Sequence, residues 1–242
     1  MKRLYPKLSR RKAVVILSGG IDSSTLLYWV VDHVPETYAL TFDYGQRHTV
    51  ETTAARKIVH HCRVLNALPK HKRIYHEMVD ISNIKSLLKR SALIDSNIPV
   101  PDLPEEPKYY NTLGTTVVPN RNAILLSLAV GKAITEGAAL VVYGAHKSDR
   151  GVYPDCRAEF VKAFEIQARL ANDTPELKVA APFINWNKSQ IVRIGHILHV
   201  PFDSTWSCYK GGAKHCGACS SCHERKRAFA QAGITDPTVY VF

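Results

Sequence analysis

A short glycine-bearing string between two apolar segments constrains the fold of this sequence more than any other feature. Residues 13–17 are an unbroken apolar run, typical of a buried strand, and residues 22–34 follow with the apolar period of a helix. Between them stand Ser18, Gly19 and Gly20, and two adjacent glycines let the backbone turn tightly and approach a ligand closely. A strand, a tight turn and a helix in this order predict the opening unit of an α/β fold.

The rest of the chain continues the alternation of apolar runs with segments of helical period. Further strands are predicted at residues 37–43, 73–79 and 140–144, and further helices at residues 49–65, 122–137 and 156–170. This pattern predicts an α/β, Rossmann-like parallel sheet with helices on both faces. In such sheets ligands bind beyond the carboxyl ends of the strands.

Residues 91–119 interrupt this alternation. They contain five prolines and little periodicity, which predicts a long loop. Two interpretations stay open: a lid that keeps water from a reactive intermediate, and an insertion without a role.

Charge and hydropathy limit the partners and the location that we expect. No apolar run approaches the roughly 18 residues of a membrane span, and the apolar run behind the basic N-terminus is too short for a signal peptide. We therefore expect a cytoplasmic protein without a membrane partner. The formal net charge of +11 favours anionic ligands. Because the basic residues are spread along the chain, a basic surface with a polyphosphate pocket is the first interpretation, and dedicated nucleic-acid binding is the alternative.

The string after the first strand predicts an anion site. A helix that begins here directs its free N–H groups and the positive end of its dipole towards the turn. Asp22 is placed to cap this helix or to hold Mg²⁺ against phosphate oxygens. A plain turn capped by Asp22 is the alternative, since the P-loop and dinucleotide signatures are absent. We expect nucleotide contacts along one unbroken stretch, namely Leu17, Ser18, Gly19, Gly20, Ile21, Asp22, Ser23, Ser24, Thr25, Leu26 and Leu27.

A cysteine cluster near the C-terminus predicts a metal site. Four of the six cysteines lie within fifteen residues, namely Cys208, Cys216, Cys219 and Cys222. Without an export signal such clustering indicates metal before disulfides, and four thiolates complete the tetrahedron of structural Zn²⁺. We expect one structural zinc per chain. An iron–sulfur cluster is the main alternative, and His215 or His223 is an alternative ligand.

The string SGGIDS at residues 18–23 resembles the signature of the PP-loop ATP pyrophosphatases, or adenine-nucleotide alpha-hydrolase-like enzymes. Three further strings narrow the resemblance: FDYGQRH at residues 42–48, GAHKSD leading into YPDCR at residues 144–157, and the cysteine string. In this order they resemble the QueC family over nearly the whole chain. The resemblance implies a homodimeric C–N ligase that uses ATP with Mg²⁺.

The same resemblance implies a two-stage reaction. ATP activates the carboxylate of 7-carboxy-7-deazaguanine, and ammonia displaces the activated oxygen to give an amide. A second ATP activates the amide, which becomes the nitrile 7-cyano-7-deazaguanine (preQ0) of queuosine and archaeosine biosynthesis. No glutaminase domain fits in the remaining length, so free ammonia is expected.

Our hypotheses for residue roles follow from these strings. The candidate catalytic residues are Asp22, Ser23, Arg47, Arg121 and Asp155, with the arginines neutralising phosphate or carboxylate. The candidate substrate contacts are Asp149, Tyr153, Asp155 and Arg157. Asp149 or Asp155 would accept the paired N–H donors of a guanine-like edge. For Asp155 and Arg157 a capped helix start with a surface arginine is the alternative.

We expect two units, a nucleotide-binding α/β domain over residues 1–200 and a zinc-binding, helical segment over residues 201–242. Two other functions stay open. One is a tRNA-modifying PP-loop enzyme of the thiolase or lysidine-synthetase type, for which no segment is left over as an RNA-binding domain. The other is a non-catalytic zinc-ribbon module that keeps a nucleotide pocket.

Overall fold

The structure is a computed structural model that describes residues 12–47, 50–64, 72–102 and 114–241. Its strands are β1 (Lys12–Ile16), β2 (Glu36–Asp43), β3 (Arg73–Asp80), β4 (Leu140–Val142) and β5 (Lys178–Ala180). Its α-helices are α1 (Ile21–His33), α2 (Val50–Val64), α3 (Arg121–Glu136), α4 (Ala158–Asn172), α5 (Lys188–Ile197) and α6 (Ser220–Ala232).

The five strands form one parallel sheet in the order β3-β2-β1-β4-β5. Strand β1 lies at its centre, with Val14 paired to Tyr38 of β2 and to Val141 of β4. The chain runs outward from β1 in one direction and then returns to the other side of it at β4. The strand order therefore reverses between β1 and β4, where such sheets bind ligands. The predicted parallel α/β fold is confirmed.

Two hydrophobic layers cover the sheet because successive β1 side chains point to opposite faces. Ala13 and Val15 belong to a cluster with residues of α1, α2, α5 and α6, whereas Val14 belongs to a cluster with residues of α3 and α4. Helix α1 lies between the sheet and α5, which explains why it is buried on nearly all sides.

Several predicted bounds differ from the observed ones. The strand predicted at residues 140–144 ends at Val142, and the helix predicted from residue 156 begins at Ala158 because Pro154–Cys156 forms a 3₁₀ turn. Strand β5 and helix α5 were not predicted. Both ends of the helix predicted at residues 49–65 lie outside the described residues, and the part between them is α2.

The described parts of the proline-rich segment pack against the sheet domain. Ala92, Leu93 and Ile94 are buried. Residues 103–113 lie outside the described residues, so the lid stays a prediction.

The C-terminal segment shares a core with the sheet domain. Phe202 and Phe229 lie in the same hydrophobic cluster as α1. The division at residue 200 therefore stays a prediction. Among the described helices, none is long and apolar enough to cross a membrane.

Candidate active site and cysteine cluster

The turn after β1 exposes the first amides of α1. Gly20 is the N-cap residue and no side chain caps the helix, so the alternative of a turn capped by Asp22 is wrong. The turn is held from within: the Ser18 amide donates to Ser23 Oγ at 3.1 Å, and the two serine hydroxyls lie 3.0 Å apart. Free amides at a helix start, beside two hydroxyls, form a site for an anion such as phosphate.

Gly19 allows helix α2 to pack directly on this turn. Its φ is +86°, and a Cβ there would lie 2.6 Å from the Glu51 carbonyl oxygen and 2.7 Å from the Ala55 nitrogen. Both neighbours are backbone atoms of a helix and cannot move aside cheaply. The position therefore requires glycine for two reasons, its backbone conformation and its close approach to α2.

We expect Gly19→Ala to lower the free energy of unfolding by about 2–5 kcal/mol, the left-handed backbone and the overpacking combined. Gly137→Ala is the matched control, because Gly137 has φ +64° but nothing within 4 Å of the added Cβ. That control should cost only about 1–2 kcal/mol. Urea unfolding of both variants measures the difference, and equal losses would contradict the close approach.

A cavity of about 250 Å³ opens beyond the carboxyl ends of β1, β2 and β4. Six of the predicted nucleotide residues line it, namely Leu17, Ser18, Gly20, Ile21, Asp22 and Ser23. The other five, Gly19, Ser24, Thr25, Leu26 and Leu27, do not line it. Leu26 and Leu27 are part of the hydrophobic core, so the helical period turns this end of the predicted stretch away from the cavity. The role of the whole stretch in nucleotide binding stays a prediction.

Five charged side chains meet on one wall of the cavity. Lys188 Nζ lies 3.3 Å from Asp22 Oδ2 and 2.7 Å from Glu224 Oε2. His146 Nε2 lies 3.6 Å from the same Asp22 oxygen and 3.3 Å from Asp149 Oδ2. Three carboxylates therefore surround two cations, and we call this group the charge cluster.

The charge cluster keeps its cations protonated. Burial opposes the charge of His146, but Asp22 and Asp149 outweigh it and raise the pKa of His146 to about 9. Burial also opposes the ionised form of Asp22, yet Lys188 and His146 hold the pKa of Asp22 below its usual value. Burial raises the pKa of Asp149 to about 6. At neutral pH, Lys188 and His146 thus present positive charge beside the amides of α1.

Arg121, the first residue of α3, also lines the cavity. Among the described residues it forms no ion pair with a carboxylate. Burial opposes its charge, but Tyr44 and Asp155 outweigh burial and raise its pKa, so it stays protonated. A guanidinium without a bound carboxylate is suited to an anionic ligand, and the role of Arg121 stays a prediction. Asp149 and Tyr153 also line the cavity, and their contact with the substrate stays a prediction.

Three other predicted residues do not line the cavity. Arg47 donates to the carbonyl oxygens of Ala92 and Ile98, so it holds the base of the proline-rich segment. Asp155 accepts the Asn122 amide at 3.2 Å and holds the start of α3. These side chains are hydrogen-bonded to backbone groups, and the direct roles predicted for them stay predictions.

Arg157 is the third of these. Its Nε donates to the Arg150 carbonyl oxygen at 3.1 Å, within the turn that precedes α4. The alternative of a capped helix start was therefore closer for Asp155 and Arg157, although Asp155 supports α3 and not the helix that follows it.

Sequence reasoning missed four cavity residues that carry charge. His146 was part of a recognised string but received no role, and Lys188 lies in a helix that was not predicted. A capping box of Asn187 and Gln190 marks the start of that helix and was a readable signal. No sequence feature marked Glu51 or Glu224 as a cavity residue, because each is a glutamate within an ordinary helical stretch.

The four predicted zinc ligands converge. The sulfur atoms of Cys208, Cys216, Cys219 and Cys222 all lie within 4.8 Å of one another. The sulfurs of Cys216 and Cys222 are 3.9 Å apart, close to the edge of a zinc–thiolate tetrahedron with bonds of about 2.3 Å. The amides of Ala218 and Cys219 donate to the Cys216 sulfur and hold it in place. The donor set therefore fits one tetrahedral metal ion.

The histidines near the cluster have other roles. His215 Nε2 accepts the Ser207 amide at 3.0 Å, and its ring packs on Trp206. His215 is thus engaged elsewhere, and His223 is exposed.

The cysteine cluster also shapes the cavity. Cys219 is the N-cap residue of α6, and Ser220, Ser221 and Glu224 of that helix line the cavity. On the other side of the cluster, the Trp206 amide donates to the Gly19 carbonyl oxygen at 2.9 Å. The cluster therefore fixes one cavity wall and the turn after β1 together.

Comparisons with known proteins find relatives that cover most of the chain. The chain is 46% identical over 227 residues to a 7-cyano-7-deazaguanine synthase from Archaeoglobus fulgidus, covering 93% of this chain and 89% of that protein. It is 43% identical to the synthase from Psychromonas ingrahamii, covering 95% and 98% of the two chains. Among solved structures, NMN synthetase from Francisella tularensis is similar with a TM-score of 0.49 and 14% identity, over 97% of this chain and 81% of that one.

The model of one protein family, described as queuosine biosynthesis protein QueC, matches residues 12–233. That match spans both the turn after β1 and the cysteine cluster. On this match and on the identity to its relatives, the chain belongs to the QueC family.

Proposed function

We propose that this protein converts 7-carboxy-7-deazaguanine and ammonia into 7-cyano-7-deazaguanine, with ATP as the activating substrate. The observation that carries the proposal is the cavity at the β1–β4 reversal, in a chain that is over 40% identical to 7-cyano-7-deazaguanine synthases along most of its length. The identity favours this function over a tRNA-modifying enzyme and over a non-catalytic module.

The residues of the cavity support a division of roles. The amides at the start of α1, with Ser18 and Ser23, would hold the phosphates of ATP. Lys188 and Arg121 would neutralise the charge that develops when a carboxylate oxygen attacks phosphorus. Asp149 and Tyr153 would contact the deazapurine. Because an activated carboxyl also reacts with water, the site has to exclude water once the substrates are bound.

The residues also fit the ions expected with ATP and with the cysteines. Asp22 Oδ1 has no hydrogen-bond partner among the described residues, so Asp22 would hold Mg²⁺, which would neutralise phosphate charge. The four cysteines would hold Zn²⁺, which in a closed four-thiolate shell stabilises structure and leaves no position for a substrate.

The identity of the cysteine-bound metal can be measured directly. Purified protein should be colourless and contain about one zinc per chain, as expected for a four-thiolate structural site. Elemental analysis together with the visible spectrum checks this. A brown protein with iron and sulfide would instead assign the cysteines to an iron–sulfur cluster.

The experiment that tests the proposed function is mass spectrometry of the product after incubation with the acid, ammonium and MgATP. We expect the nitrile, preceded by the amide, and no product when any one component is omitted. Consumption of ATP without either product would contradict the proposal.

We further propose that the protein is a homodimer in the cytoplasm that acts on small molecules, supplies queuosine or archaeosine biosynthesis and does not bind nucleic acid stably. The family match supports the small-molecule substrate and the queuosine pathway. Light scattering of the purified protein tests the dimer, and a salt-dependent shift with bulk tRNA would contradict the last part.

A further inference from the structure

The cavity contains one carboxyl group that differs from the others in its surroundings. Asp22, Asp149 and Glu224 each lie within ion-pair distance of Lys188 or His146. Glu51 also lines the cavity, but within the part of the chain that the structure describes its side chain forms no ion pair and no hydrogen bond. A carboxyl group kept out of the charge cluster is available to a ligand.

The position of Glu51 is fixed by its backbone. It lies in the first turn of α2, and its carbonyl oxygen approaches Gly19, so α2 packs on the turn that would hold the phosphates. The side chain therefore lines the same cavity as the turn that would hold the phosphates. The titratable groups that interact with it are Arg121 on α3 and Tyr44 after β2.

The proposed reaction needs a group that accepts protons at this place. When the nitrogen lone pair attacks the activated carboxyl carbon, a C–N bond forms, the C–O bond to the phosphate ester breaks with its electron pair, and nitrogen must lose a proton. In the second stage the amide oxygen leaves as a phosphate ester. The amide nitrogen then loses two protons as the C≡N bond is completed.

We propose that Glu51 is the general base that takes these protons from nitrogen. The inference rests on the proposed function and assigns a catalytic residue to it. The other cavity carboxyl groups are engaged with cations, whereas the environment of Glu51 is suited to proton transfer. Burial raises the pKa of Glu51 to about 7, with Arg121 opposing the rise, so the group can both accept a proton and release it near neutral pH.

The test is the variant Glu51→Gln, which keeps the shape of the side chain and removes the base. Amide formation is measured at a constant concentration of free ammonia from about pH 6 to about pH 9, because ammonia itself becomes more available as pH rises. In the unaltered protein the rate should rise through about pH 7, as Glu51 ionises, and then level off. In the variant we expect a rate lower by about 10²-fold or more, without that rise.

A reaction with hydroxylamine distinguishes a loss of the general base from a loss of carboxyl activation. Hydroxylamine is unprotonated at neutral pH and reacts with activated acids without a base, so hydroxamate reports whether the carboxyl group is activated. Glu51→Gln should form hydroxamate at a rate close to that of the unaltered protein. If the unaltered protein itself forms no hydroxamate with the acid and MgATP, the proposed function fails and not the assignment of Glu51.

Glu159→Gln is the matched control. Glu159 also lies in the first turn of a helix, α4, but it is exposed and does not line the cavity. This variant should keep the rate and the pH profile. The inference is overturned if Glu51→Gln keeps the pH rise, if it loses ammonia and hydroxylamine reactions equally, or if only its KM for ammonium or for the acid increases.

Discussion

A Lys188→Met variant is expected to turn over ATP with the acid and ammonia about 10²–10³-fold more slowly than the unaltered protein. The Lys188 side chain is 12% exposed and its Nζ contacts both Asp22 and Glu224. Without it, His146 remains as the counter-charge for three carboxylates of the charge cluster. A triphosphate approaching the amides of α1 would then meet a wall that carries one more unit of negative charge.

Two further variants separate this effect from a loss of folding. Removing one partner of a buried ion pair costs about 3–5 kcal/mol, so thermal unfolding has to be measured alongside turnover. Lys188→Arg keeps the charge and should recover part of the activity. Lys178→Met is the surface control, since Lys178 is 54% exposed and pairs with Glu165 at 3.5 Å. A folded Lys188→Met variant with full turnover would contradict the role of the charge cluster.

The second large effect is expected from Cys222→Ser. It removes one of four converging sulfurs, and metal binding at such sites contributes about 10–16 kcal/mol of folding free energy in small zinc peptides. We expect the variant to lose its metal and its turnover together. The reason is that α6 starts at the cluster and supplies Ser220, Ser221 and Glu224 to the cavity.

Metal content per chain and ATP turnover measure this prediction. Cys62→Ala is the control, because Cys62 is buried in α2, far along the chain from the cluster, and should keep one metal per chain. Slow removal of the metal with a chelator should reproduce the loss of turnover, and re-addition of Zn²⁺ should reverse it. Full activity in metal-free protein would show that the cluster does not hold the cavity wall.

Those parts of the fold were predictable in which an element carries its own apolar period in the sequence. Alternating apolar periods located the first four strands and α1 to α4, because each of these elements carries its own pattern over several residues. Strand β5 has only three residues and no readable period, and α5, which begins at Lys188, is the next helix after it. Packing against α1 and α6 stabilises α5, and a sequence pattern does not report such packing.

The active site was predictable in part for the same reason. The turn after β1 and the four cysteines are short strings. The residue types and the spacing within each string are enough to predict an anion site and a metal site. The charge cluster joins Lys188 to Glu224, 36 residues apart, and to Asp22 in the first helix, and only the fold brings them together. Arg47 and Asp155 belong to recognised strings but do not line the cavity, because a motif indicates where a residue stands but not which way its side chain points.

All of these proposals depend on the binding of ATP phosphates by the amides at the start of α1. A crystal structure with a non-hydrolysable ATP analogue and Mg²⁺ would show this binding directly. We expect phosphate oxygens within hydrogen-bond distance of the amides from Gly20 to Ser23, with Lys188 beside them. A triphosphate bound elsewhere, with this turn unoccupied, would overturn the proposed function of the turn.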